Sequence, residues 1–482
     1  MWTALAIAVL AVVALAAASL AVSGALGALH PVAKLDRSPA APLAGFPRGF
    51  LMGASTSAHQ LDGSAGLSDW SRFEEEPGRI AQGERSGTAT GHRDRVEEDV
   101  GLLSALGANA YRFSVEWARL EPAEGRVDEA EWRRVQDEVA LLRRRGITPM
   151  ATLLHFTLPS WVADRGGLLA PDFSDRFGRF AGEAARRLGA EVELFCTVNE
   201  PNVQVFNGYL DGIWPPGLRS PARARLAFEA LLRGHAAAVR AVRAGAPGAK
   251  VGPAVNLIEF QPARRGSALD WLAARLAAAA FDWSFLEAMR TGRIRIPLPG
   301  GGLRAAAAPE LVGTADFLGV NYYTRSLVRF SLRAPGLVAR GPGPGPTSDL
   351  GWEIYPAGLL VLLRETHERY RLPVYVTENG LADAEDSRRP DFLRAHLQAI
   401  AQALREGVPV RGYFHWSLVD NFEWADGFSP RFGLHAVDYR TLAREARPSA
   451  AVFRSLAGEI GVDASPLDRR GGGFGRDPDR TH

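Results

Sequence analysis

The segment VELFCTVNEP (192–201) is a short apolar run that ends abruptly on Asn199, Glu200 and Pro201. Its length and its Val, Phe and Thr content mark a buried strand rather than a helix. A second stretch, VYVTEN (374–379), repeats the pattern and ends on Glu378 and Asn379. Comparable runs occur at 50–57, 108–117, 147–156, 250–257, 316–324 and 410–418, making eight in all. Stretches of helical period lie between or after them, at 95–106, 131–144, 173–188, 222–244, 392–405 and 446–457. Strand–helix alternation implies parallel strands joined by right-handed crossovers. Eight such units predict an α/β fold of the (β/α)8 TIM barrel type, with enlarged βα loops. An open doubly wound sheet is the rival, but the first strand opens no GxGxxG turn, so a dinucleotide has no seat.

A barrel of this kind carries its chemistry at the C-terminal ends of the strands. The polar residues fall there. Gln60 and Asp62 follow the first run, Arg112 and Glu116 lie in the second, and His155 ends the third. Asn199 and Glu200 end the fourth, and Asn321 and Tyr323 occur in the sixth. Glu378 and Asn379 end the seventh; Trp416, Glu423 and Trp424 close the eighth. A lone carboxylate at a strand end is ordinarily a salt bridge or a helix cap. Two of them, on strands four and seven facing each other across the mouth, suit acetal cleavage. One carboxyl protonates the leaving oxygen and the other attacks or stabilises the oxocarbenium-like carbon. A separation of about 5–5.5 Å gives retention, and about 6.5–9.5 Å gives inversion.

Seven segments in order resemble glycoside hydrolase family 1, the retaining β-glycosidases: FLMGASTSAHQLDG (50–63), NAYRFSVEWARLEP (109–122), TLLHFTLPSW (152–161), TVNEPN (197–202), DFLGVNYYTR (316–325), YVTENG (375–380) and HWSLVDNFEWADGFSPRFGL (415–434). The resemblance runs from residue 46 to 457. It implies Glu378 as nucleophile and Glu200 as acid and then base. Tyr323 would hydrogen-bond the nucleophile, and Arg112 would lie beneath it and keep it ionised. Asn199 would hold the sugar 2-hydroxyl, while Gln60, His155 and Glu423 take the other hydroxyls, with Trp424 beside Glu423. Asn321 joins this set, and Trp416 offers an apolar face to the ring. Keeping Glu200, where thioglucoside-cleaving members tend to have Gln, implies O-glycosides. Acidic Glu423, with no Lys after position 250, argues against 6-phosphosugars.

The implied activity is hydrolysis of terminal β-D-glucosides, extending to β-galactosides and β-fucosides, with no cofactor and no metal. The alternative is transglycosylation onto a glycolipid through the same glycosyl-enzyme. The family pattern is also broken in places: Asp62 replaces a Glu, His59 a Tyr, and Phe156 a Trp. Phe156 keeps an apolar wall but loses an indole donor.

The 482 residues have net charge +2 and 46% hydrophobic content, which excludes global disorder and any long-range field for nucleic acid. Cys196 is alone, so neither an intramolecular disulfide nor a cysteine metal site is available, and it reads as a small core residue. The ten histidines show no HxH or HExxH spacing. Residues 2–29 carry no charge and, as a helix, would extend about 42 Å against a hydrocarbon core of about 30 Å. The first positive charges, Lys34, Arg37 and Arg48, follow this stretch. The segment therefore reads as a transmembrane anchor holding the catalytic domain on the cytoplasmic side. A cleaved secretory signal is the competing reading. The expected organisation is a hydrophobic segment at 1–30, a linker at 31–46, one barrel at 47–460 and a disordered tail at 461–482. The run GPGPGP (341–346) reads as a flexible loop insertion.

Overall fold

The computed structural model describes residues 43–298, 305–334 and 337–462. Eight strands form its centre: β1 Leu51–Ser55, β2 Ala110–Ser114, β3 Thr148–Leu154, β4 Leu194–Asn199, β5 Lys250–Asn256, β6 Leu318–Asn321, β7 Val374–Asn379 and β8 Val410–Trp416. All pair in parallel, and the ring closes where β1 meets β8, with Gly53 opposite Phe414. The expected strand positions are met to within a few residues. The order around the ring follows the chain, so β4 and β7 stand three positions apart with β5 and β6 between them. They are therefore not diametrically opposed, and the expectation that they face each other is corrected to convergence from the same half of the mouth.

Eight principal helices surround the ring: α1 Val96–Ala105, α2 Glu129–Arg144, α3 Phe173–Leu188, α4 Pro221–Gly245, α5 Ala268–Ala278, α6 Pro356–Tyr370, α7 Arg389–Arg405 and α8 Pro448–Ile460. Helix α5 runs on through a π turn at Ala279–Trp283 into Ser284–Thr291. The starts follow local chemistry. Asp128 accepts the amides of Ala130 and Glu131 ahead of α2, and Ser220 caps α4 with Pro221 at its first position. Helices α3 and α4 cross closely because a Cβ at Gly178 would lie only 3.1 Å from that of Ala237.

The barrel floor is plugged by Ala110, Met150, Leu194, Phe317, Tyr375 and Phe414. Polar residues replace this apolar layer toward the C-terminal ends. Register shifts interrupt β4 against β5 between Cys196 and Asn199, and β7 against β6 between Val376 and Glu378. Such an irregularity breaks the alternation of side chains and re-aims the residue that follows it. Here the re-aimed residues are Asn199 and Glu378.

Two strands beyond the ring, Arg325–Phe330 and Val338–Gly341, join Glu259–Pro262 in a three-stranded sheet beside the mouth. The GPGPGP run is not the free insertion expected. The amides of Gly343 and Gly345 both donate to the buried Glu353 carboxylate at 2.9 Å, and Glu353 pairs with Arg325. Leu43 is buried, and its amide donates to Glu459 at 3.3 Å. Among the described residues no helix is long and apolar enough to cross a membrane. The apolar stretch 2–29, on which the anchor and signal readings rest, lies outside them, as does the tail from 463.

Candidate active site

Arg112, fully buried on β2, organises the site. Its Nη1 donates to Oε1 of Glu378 and to Ser55 Oγ, and its Nη2 donates to Asn199 Oδ1 at 2.7 Å. Tyr323, just past β6, donates its phenol to the other Glu378 oxygen, Oε2, at 2.6 Å. Both oxygens of Glu378 thus face donors, one of them cationic.

Glu200 sits in a different setting. It closes β4 with a left-handed backbone (φ 43°, ψ 57°) immediately before Pro201, and its amide is held by Ala254 O at 2.8 Å. Its Oε1 accepts two neutral amides, Asn256 Nδ2 and Asn321 Nδ2, each at 2.9 Å. Among the described residues no cation pairs with it. Burial first, and the nearby Glu378 charge second, push its carboxyl up to about 8, against the opposing pull of the two amides. With Oε1 occupied by donors, the proton resides on Oε2. The two carboxylates are joined by one chain of bonds, Glu378 to Arg112 to Asn199 to Asn321 to Glu200. Asn321 is itself fixed by Thr377, whose hydroxyl donates to its Oδ1 at 2.6 Å.

The orientation of Asn199 propagates further. Since its Oδ1 accepts from Arg112, its Nδ2 must donate, and it does so to His155 Nε2 at 3.0 Å. His155 is held neutral, by burial first and by the Arg112 charge second. Its proton therefore sits on Nδ1. That atom and Gln60 Oε1 are buried polar atoms with no partner among the described residues. One is a donor and the other an acceptor, the pair a hydroxyl-bearing ligand would satisfy. Gln60 Nε2 bridges Asn421 Oδ1 at 3.0 Å and Glu423 Oε2 at 3.1 Å. Burial first, then Asp426, Glu378 and Glu200, raise the Glu423 carboxyl to about 8.

Aromatic rings wall this pocket. Trp424 stacks on His59 with ring centres 5.5 Å apart and lies 5.2 Å edge-on from Phe156, while Trp416 stands 5.9 Å from His155. The structure therefore gathers Gln60, Arg112, His155, Asn199, Glu200, Asn321, Tyr323, Glu378, Trp416, Glu423 and Trp424 at one end of the barrel.

Three neighbours in the sequence turn away from it. Asp62 accepts the Arg93 amide, Glu116 accepts the Thr157 hydroxyl, and Asn379 donates to Tyr322 O. His59 is anchored by Glu74 at 2.8 Å and Ser64 at 2.7 Å. Cys196 is a buried core residue, 3.9 Å from Arg112 Nη2. Sequence reasoning missed Asn256, Thr377 and Asn421. Asn256 had a signal, being a polar residue at the end of the fifth apolar run; Thr377 and Asn421 act through other side chains and had none. Among the described residues no group of three metal-ligating side chains is present.

Comparison with known proteins gives the arrangement a context. The family described as Glycosyl hydrolase family 1 matches residues 43–462. Beta-glucosidase A of Thermotoga maritima is 34% identical over 443 residues, 87% of this chain and 99% of that protein. A beta-galactosidase of Pyrococcus woesei is 31% identical over 502 residues, covering 86% of this chain and 98% of its own. The solved structure of a Thermotoga maritima beta-glucosidase in complex with glucoimidazole superposes with a TM-score of 0.82 at 33% identity, covering 86% of this chain and 99% of that one.

Proposed function

The chain belongs to glycosyl hydrolase family 1, and from that premise we propose that it hydrolyses terminal β-D-glucosides with retention of configuration, β-galactosides and β-fucosides being accepted as well. The observation that carries this reading is the asymmetry of the carboxyl pair. Glu378 is cradled by the Arg112 guanidinium and the Tyr323 phenol, whereas Glu200 meets only neutral amides and burial raises its carboxyl to about 8. Environments that push two carboxyls apart assign the nucleophile and the acid.

In the first step a Glu378 oxygen attacks the anomeric carbon as the glycosidic bond breaks, and the Glu200 proton passes to the departing oxygen. A glycosyl ester of Glu378 and a free alcohol result. Esterification removes the second of the two causes that raise the Glu200 pKa, burial being the first, and Glu200, ionised by giving up its proton, is placed to take one from water. That water attacks the anomeric carbon, the ester bond breaks, and Glu378 regains its charge. Asn199 would hold the 2-hydroxyl. The free His155 Nδ1 proton and Gln60 Oε1, with Glu423, would take the remaining hydroxyls of the ring, and Trp416 and Trp424 would cover its apolar faces. Transfer onto glycolipids rested on residues 2–29, which lie outside the described residues.

The test is proton NMR of the sugar released from an aryl β-glucoside, run beside Glu378→Ala. Initial appearance of the β-anomer, absent in the variant, is expected. An initial α-anomer would exclude the double displacement.

A further inference from the structure

The described residues hold ten exposed large apolar side chains, and five of them fall on one small unit, α5 with its three-stranded sheet. Leu269, Leu272 and Leu276 are 53%, 55% and 51% exposed. Their spacing of three and four puts them on one face of α5. The opposite face is spent on packing: Ala273 and Ala274 bury against Val328, with Phe260, Phe330 and Val338 around them. Leu332, 80% exposed, lies two residues past Phe330, whose amide donates to Asp270 in the first turn of α5. The leucine face is thus neither core nor a remnant of it. An apolar patch of this kind on a soluble surface marks a place of contact.

Its charge says what it meets. Residues 259–281 and 325–345 contain seven arginines and two acids, Glu259 and Asp270; Arg264 pairs with Asp270 and Arg325 with Glu353, and the Glu259 carboxyl is largely buried. Asp270 is fully buried and paired with Arg264, so it offers no negative charge outward. Arg265 and Arg275 flank the leucines and are exposed. Arg340 projects from the helix-covered side of the sheet, over the Phe260 ring at 6.0 Å. A second copy of the same surface would bring arginines against arginines, which disfavours self-association. Leucines on one helix face beside exposed arginines such as Arg265 and Arg340 suit the interface of an anionic bilayer, where the apolar side chains enter the acyl boundary and guanidinium groups meet the headgroups. We infer that this leucine–arginine face of α5 is a docking surface for negatively charged lipid. The first strand of the unit, Glu259–Pro262, follows directly on β5, whose last residue Asn256 bonds the Glu200 carboxyl.

The full chain is tested with an environment-sensitive fluorophore on Leu272→Cys, the native Cys196 being buried. The same label on Ser104→Cys of α1 serves as control. Vesicles of phosphatidylcholine with phosphatidylglycerol are expected to blue-shift the label at 272 and not that at 104. High salt should reverse the shift, and adding Arg265→Gln and Arg340→Gln should weaken it roughly 30-fold, with aryl glucoside turnover unchanged. A label at 272 reports this face whatever residues 2–29 do. No shift with anionic vesicles, or equal shifts on pure phosphatidylcholine or at 104, would overturn the inference. So would a lipid-free shift that grows with protein concentration, which would assign the face to a second copy.

Discussion

Tyr323 donates its phenol proton to Oε2 of Glu378 across 2.6 Å, the oxygen that Arg112 does not reach. Glu378 is therefore held from two sides, by a guanidinium on one oxygen and by a neutral donor on the other that fixes its rotation.

Removing the neutral donor should leave Glu378 loosely aimed. A hydrogen bond to a charged group contributes about 1.5–3 kcal/mol. Tyr323→Phe is accordingly expected to lower kcat about 10- to 100-fold with little change in KM. Steady-state kinetics on an aryl β-glucoside measure it, and an unchanged kcat would deny Tyr323 this role.

Glu200→Ala should reveal the acid through its leaving groups. Substrates whose aglycone leaves poorly are expected to lose several orders of magnitude in kcat/KM, whereas dinitrophenyl glucosides lose little in the first step. Azide should restore turnover as a β-glycosyl azide product. Equal losses for all aglycones, with no azide effect, would move the proton donor elsewhere.

The same carboxyl sets a pH limb. Because burial and the Glu378 charge hold Glu200 near 8, kcat/KM should fall as pH rises through about 8. Stability moves in the same sense. The native state keeps a proton that the unfolded chain releases near 4.5, so the wild type loses stability as pH climbs from about 4.5 to about 8. Glu200→Gln escapes this loss, and its advantage in Tm over the wild type should widen across that window. A constant difference between pH 5 and pH 8 would show that Glu200 titrates normally.

At the rim, Glu353→Gln should cost on the order of 3 kcal/mol, since it leaves the Arg325 guanidinium without its charge partner and sets an NH2 donor against one of the Gly343 and Gly345 amides. Denaturant unfolding measures the loss. A paired Arg325→Met/Glu353→Met variant should recover part of it.

Much of this was written plainly in the chain. Each barrel strand is a local object, an apolar run punctuated by polar residues, so β1 to β8 and the residues at their ends could be read one at a time. The three-stranded sheet beside the mouth could not, because Glu259–Pro262 pairs with Arg325–Phe330 more than sixty residues later and neither run is strongly patterned. GPGPGP shows the same limit from the other side: its composition speaks of freedom, and one buried acid, Glu353, removes it. The angular placement of β4 and β7 depends on closure of the ring, a property of all eight strands together. The anchor reading rests on residues 2–29, outside the described structure.

Glu200 is a non-glycine residue held at φ 43°, and the surrounding bonds, not its own preference, keep it there. A side chain at this position therefore works against its own backbone. The natural replacement for it is the one residue indifferent to handedness. Glu200→Gly should fold with a higher Tm than Glu200→Ala, while leaving the same opening for an external anion. For making β-linked azides or other adducts from this scaffold, glycine rather than alanine is the residue to install.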